Sequence, residues 1–203
     1  MRAVAADIQS SAAVAVAPAW QLPDRGTVGM TSFIIAESAI FTIFVVAYLF
    51  YLGKSVTGPT PREVLEVPVF YTICLLSSSV TIHLATQRLE RDARWSFMAL
   101  WLITTVLGGL FVYGTAAEWR RLISEHGLTI STNLFGTTYF SLVGLHAFHV
   151  TVGLVMLAMV LVLGVAGKVR RAQSGRVDVL ALYWHFVDVV WVVVFTVVYI
   201  IGR

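Results

Sequence analysis

The chain has 203 residues, is 58% hydrophobic and only 12% charged, and its net charge of +3 is spread without a basic stripe, which excludes a water-soluble globule and a nucleic-acid surface. Its one cysteine, Cys74, excludes an internal disulfide framework and a thiolate metal site, and reads as small apolar packing.

Five apolar runs, separated by clusters of charge, cover Thr27–Leu52, Val64–Thr86, Arg94–Ala117, Thr137–Ala166 and Val179–Ile201. Each is long enough to cross about 30 Å of hydrocarbon as a helix, and the alternation of a β-barrel is absent. The expected fold is all-α: an integral membrane bundle of five transmembrane helices over residues 27–203, behind an N-terminal cytoplasmic tail at 1–26. That tail carries an alanine-rich patch, but Asp7, Gln9 and two serines spoil it as the apolar region of a signal peptide.

The first run holds Glu37. Before the second, "TPREVLEVP" offers Thr60 as N-cap, Pro61 at the first helical position and Glu63 at the capping-box position, with Glu63 and Glu66 suiting the positive end of the helix dipole. Pro68 lacks the donor its helix would use, so a bend or a late start is expected there. His83 belongs near the cytoplasmic end of this run, interfacial or solvated, and His126 in the loop after the third. Gly108, Gly109 and Gly114 in the third run, and Gly144 and Gly153 in the fourth, let neighbouring backbones approach. Trp95, Trp101, Trp119, Tyr139 and Tyr183 fall near the expected membrane interfaces.

With five crossings, Arg2, Arg25, Arg88, Arg91, Arg94, Lys168, Arg170, Arg171 and Arg176 share one face. Of the 14 Lys and Arg residues only Lys54, Arg62, Arg120, Arg121 and Arg203 occupy the other. The imbalance places the N-terminus in the cytoplasm and the C-terminus outside.

Polar residues inside the runs need partners. Helical rise puts Glu37 about 15 Å and Asp188 about 13 Å deep, while His149 reaches the midplane from the other side. His146 with His149, and His185 with Asp188, are spaced i, i+3 and so share a face. Three uses fit such residues: a metal or haem site, a proton relay through Glu37, or a hydrogen-bonded scaffold that fixes helix rotation. Under the scaffold reading, the helices bearing Glu37 and His149 supply the partners of His185 and Asp188.

The stretches "GMTSFIIAESAIF" around Glu37, "LEVP" at Leu65–Pro68, "AAEW" at Ala116–Trp119, "GLHAFHVTVG" at Gly144–Gly153 and "YWHFVDVVW" at Tyr183–Trp191 occur in order. Together they resemble subunit III of haem-copper oxidases, in the short five-helix form that begins at the equivalent of helix three. The longer form has two further helices, with a lipid-filled cleft between them and the other five. The resemblance implies a bundle docked against subunit I with subunit II beside it, in a bacterial plasma membrane. It implies a chain that binds no haem or copper of its own, those cofactors belonging to the partner subunits. It also implies structural phospholipid, and support for proton uptake and turnover by a partner that reduces O2 and pumps protons. Glu37 matches the family's intramembrane glutamate, His146, His149, His185 and Asp188 its polar positions, and Glu118 the acid at the outer end of its span. Rival readings are the equivalent subunit of a quinol oxidase or of a nitric-oxide-reductase-associated complex, a small proton-coupled transporter, and an intramembrane metalloenzyme.

Overall fold

The computed structural model describes residues 24–203; most of the expected tail lies outside the described residues. Its elements are α1 (Arg25–Tyr51), a single turn α2 (Pro61–Val64), α3 (Val69–Glu90), α4 (Arg94–His126), α5 (Leu134–Val165) and α6 (Ser174–Phe195). A π-helical turn, Thr196–Ile201, prolongs α6. Five of these helices are long and apolar enough to cross a membrane, as expected. Short connections make chain neighbours antiparallel. The helix α3 packs on α4, α4 on α5 and α5 on α6, while α6 also touches α1 and α3. The helix α1 rests on α5 and α6 at the edge, with only Phe41 and Tyr48 buried.

The helix ends follow local chemistry. Asn133 caps α5: its side-chain oxygen accepts from the Gly136 amide at 2.8 Å, and its Nδ2 donates to Thr57 and Pro59 carbonyls at 3.1 Å, tying down the long α1–α2 connection. Gly127 closes α4 at φ 61°, a left-handed position that glycine adopts without strain. Nothing before it breaks the helix, so α4 continues past Ala117 through Glu118 to His126, and His126 ends a helix instead of lying in a loop. At the other end of α4, Arg94 donates to the Gly164 carbonyl at 2.6 Å and clamps α4 to the last turn of α5.

The second membrane helix starts late. Thr60 and Pro61 do open a helix, but only α2, and Leu65 is extended at φ −83°, ψ 127°. The cause is Pro68, which disfavours helix at the residue before it and stands as the N-cap of α3, where its missing N–H costs nothing. The membrane crossing therefore begins at Val69, not Val64. An ion pair between Glu66 and Arg121 ties this break to α4.

The Glu63 carboxylate accepts the Thr60 amide at 2.9 Å, and that backbone bond holds its pKa below the usual carboxylate value. A lowered folded-state pKa adds stability above the ordinary carboxylate pKa and loses it as pH falls through the lowered value. Hydrogen-exchange protection of the Thr60 amide is expected to hold at neutral pH, fall in that acidic window, and be absent at every pH in Glu63→Ala. Protection that ignores pH and the substitution would contradict the assignment.

The interior is aromatic. Trp101, Tyr139 and Tyr183 are buried between helices, and each polar tip finds a partner inside the bundle. Trp101 donates to the Leu157 carbonyl at 3.0 Å, Tyr183 donates to the His149 carbonyl at 3.0 Å, and the Tyr139 hydroxyl lies 3.5 Å from that of Tyr199. Trp95, by contrast, is 88% exposed. Gly108 and Gly153 both face the Trp184 ring, where added Cβ atoms would come within 2.7 and 2.8 Å. Gly114 faces Tyr71 and Gly144 faces Trp119, whereas Gly109 faces open space and serves no close approach.

Candidate functional site: the intramembrane polar groups

Polar side chains inside the bundle form separate groups. Between α1 and α5, Glu37 Oε2 lies 3.3 Å from His149 Nε2. The other ring nitrogen, Nδ1, is 2.8 Å from the Leu145 carbonyl, which can only accept, so Nδ1 carries a hydrogen. The contact with Glu37 then holds one proton between carboxyl and imidazole, whichever side carries it. Phe41, with its ring 5.0 Å from that of His149, shields the pair.

Between α3 and α6, Ser79 Oγ lies 3.1 Å from His185 Nδ1 and donates to Asp188 Oδ2. The expected partnership of His185 and Asp188 with Glu37 and His149 is therefore corrected. The two acids sit on different seams, because α6 turns the face bearing Asp188 toward α3. Asp188 is 3% exposed, and its Oδ1 has no partner among the described residues.

His146 shares its helix face with His149 but not its chemistry. It is fully buried, its ring stacks on Trp191 at 5.0 Å, Phe111 meets it edge-on at 5.7 Å, and neither ring nitrogen has a hydrogen-bond partner among the described residues. Glu118 forms a third group toward one end of the bundle, where its two carboxyl oxygens lie 3.0 and 2.9 Å from the donating Tyr199 hydroxyl. His83 is exposed on α3, and its ring nitrogen Nε2 lies 2.9 Å from the Gln87 side-chain amide.

Several participants escape a reading based on charge. Ser78 accepts from the Trp184 indole at 2.8 Å and Thr72 from the Trp191 indole at 3.2 Å, so α3 receives α6 through hydroxyls. The visible signal is the "SSS" run at Ser77–Ser79, uninterrupted polarity in the middle of an apolar span.

Among the described residues, no three His, Cys, Asp or Glu side chains gather as metal ligands do. The fold and these groups define an all-helical integral membrane protein in which acids, imidazoles, hydroxyls and indoles of one helix are met by those of the next. The family profile described as Cytochrome c oxidase subunit III matches residues 6–203. The chain is 37% identical over 183 residues to Cytochrome c oxidase subunit 3 of Synechocystis sp., covering 88% of this chain and 77% of the relative. It is 33% identical to the protein of the same name from Thermostichus vulcanus, over 94% of each chain. That of Alkalihalophilus pseudofirmus is 32% identical, over 89% of this chain and 92% of the relative. The chain belongs to the cytochrome c oxidase subunit III family, and is thus a membrane component of a multi-subunit respiratory oxidase.

Proposed function

We propose that the chain docks as a non-catalytic scaffold against oxidase subunit I, with subunit II beside it and the haem and copper held by those partners. It lies with its N-terminus in the cytoplasm and C-terminus outside, holds structural phospholipid, and supports proton uptake by subunit I. The pairing of buried polar groups across helix seams carries this reading: Glu37 with His149 joins α1 to α5, and Ser79 with His185 and Asp188 joins α3 to α6. Groups that face one another add direction to the close packing between helices, and so fix the rotation and depth of each. The single proton of the Glu37–His149 contact also gives the bundle one place where a proton can change sides.

Two observations test this. Purification in mild detergent should yield the chain together with a haem-containing subunit, read from the polypeptide content and the optical spectrum; a chain that purifies alone contradicts the docking. Ser79→Ala strips one hydroxyl from both His185 and Asp188 and should cost about 1–3 kcal/mol of bundle stability. Asp188→Leu should loosen the bundle or its attachment to subunit I. Full subunit content and unchanged thermal stability in both variants would contradict the scaffold role.

A further inference from the structure

At membrane depth an outward polar side chain has no water to complete it, so outward hydroxyls in a span ordinarily bond their own helix. Ser38 and Thr42 on α1 and Thr151 on α5 do so, each donating to the carbonyl four residues earlier at 2.7–2.8 Å. The outward face of α4 at Leu102, Ile103 and Val106 is apolar. Among the described residues, the seam between α3 and α6 departs from this pattern. His83 is exposed on α3, about 10 Å from the helix end at Glu90, and His185 is half-buried on α6, about 16 Å from its start at Ser174. The two imidazoles lie close enough to repel one another when charged.

Counting hydrogens shows what His185 lacks. Ser79 has one hydroxyl hydrogen and gives it to Asp188 Oδ2, so toward His185 Nδ1, 3.1 Å away, the same oxygen accepts. Nδ1 therefore carries a hydrogen, and in the neutral ring Nε2 is left as an acceptor. Among the described residues nothing donates to Nε2, and it is not sealed as the two nitrogens of His146 are, so it is open to a group arriving from outside the bundle. At the end of the same seam Glu90 of α3 lies beside Asp178 of α6, and neither carboxyl is paired with a cation among the described residues.

An open acceptor, with two carboxyls further along the seam, complements a surface that carries donors. Acyl chains carry none, and about 16 Å from the helix start His185 lies near the middle of a bilayer whose hydrocarbon is about 30 Å thick, out of reach of headgroups. A protein helix can present a donor at that depth. We infer that the α3–α6 seam is the face on which a membrane-spanning helix of a partner oxidase subunit seats, with a donor side chain of that helix on His185 Nε2. The inference deepens the docking reading and rests on it, since it names the face through which a docked partner is held.

The photocross-linking residue p-benzoylphenylalanine, placed in this chain within the whole oxidase complex, provides the test. Val80, one turn from His83, and Val189, one turn from His185, are exposed beside the seam. Val155 and Val162 are exposed on α5, whereas α3 packs on α4 and α6. Illumination should join the chain to a partner polypeptide from Val80 and Val189 several-fold more than from Val155 and Val162, read by mass spectrometry of the joined peptides. With the probe at Val189, His185→Phe keeps a flat ring without an acceptor and should cut the yield several-fold, while His185→Gln, whose amide oxygen accepts, should restore much of it. Partner cross-links as strong from the α5 positions, cross-links to a second copy of this chain, adducts with lipid alone, or an undiminished yield in His185→Phe would overturn the inference. Polypeptide content before illumination reports docking separately: a complex without partner subunits contradicts docking itself, whereas a complete complex cross-linked through α5 contradicts only the choice of face.

Discussion

Trp184→Ala is expected to lower the unfolding free energy by about 3–5 kcal/mol, the usual cost of deleting a fully buried large aromatic. One indole here joins four helices. It projects from α6, fills the space left by Gly108 on α4 and Gly153 on α5, and donates to Ser78 on α3 at 2.8 Å. In lipid, where apolar surface gains little by leaving the bilayer for another helix, such close packing is the main force between helices. Trp184→Phe should retain most of the packing and lose only the hydrogen bond, at about 1 kcal/mol. Gly153→Leu attacks the same contact from the other side and should cost about 1–3 kcal/mol through overpacking. Denaturation followed by far-ultraviolet circular dichroism in mild detergent gives the comparison. Trp95→Ala serves as control, since that ring is 88% exposed. A Trp184→Ala loss no larger than the control's would contradict the central place of this side chain.

His149→Leu is the second large effect, expected at about 3–5 kcal/mol because breaking a buried pair by removing one partner leaves the other uncompensated. The Glu37 side chain is only 17% exposed and that of His149 7%. With the imidazole gone, the carboxyl faces Phe41 and lipid, with no water to take the place of its partner. The substitution also releases the Leu145 carbonyl, although that carbonyl already lies in a helix and tolerates the loss. His146→Leu makes the informative contrast. Its ring has no hydrogen-bond partner among the described residues, so a similar-sized apolar side chain against Trp191 and Phe111 should cost far less.

Much of this was legible in the chain. Charge clusters gave the five crossings to within a turn at most ends, since a helix in lipid has little choice where it stops. Depth counting placed Glu37 and His149 at meeting levels, and they meet. Rotation was not legible. The i, i+3 spacing puts His185 and Asp188 on one face but does not say toward which neighbour that face turns, so their partner proved to be Ser79 instead of Glu37. A serine inside an apolar helix ordinarily bonds its own backbone, as Ser77 does to the Ile73 carbonyl at 2.6 Å, which hides the one that reaches across. His146 was no easier to place, since spacing alone does not say that its neighbours are the rings of Trp191 and Phe111. The late start of the second crossing followed from Pro68, whose chemistry is local and therefore readable.

Pairwise completion of polar groups across helix seams is the physical basis of the account, and a double-mutant cycle on Glu37 and His149 measures it directly. The unfolding free energy of wild type, Glu37→Leu, His149→Leu and the double variant would be compared in the same detergent. The double variant is expected to recover to within about 1 kcal/mol of wild type, because two apolar side chains replace the pair without leaving a lone polar group. Losses in the two single variants that simply add in the double variant would contradict it.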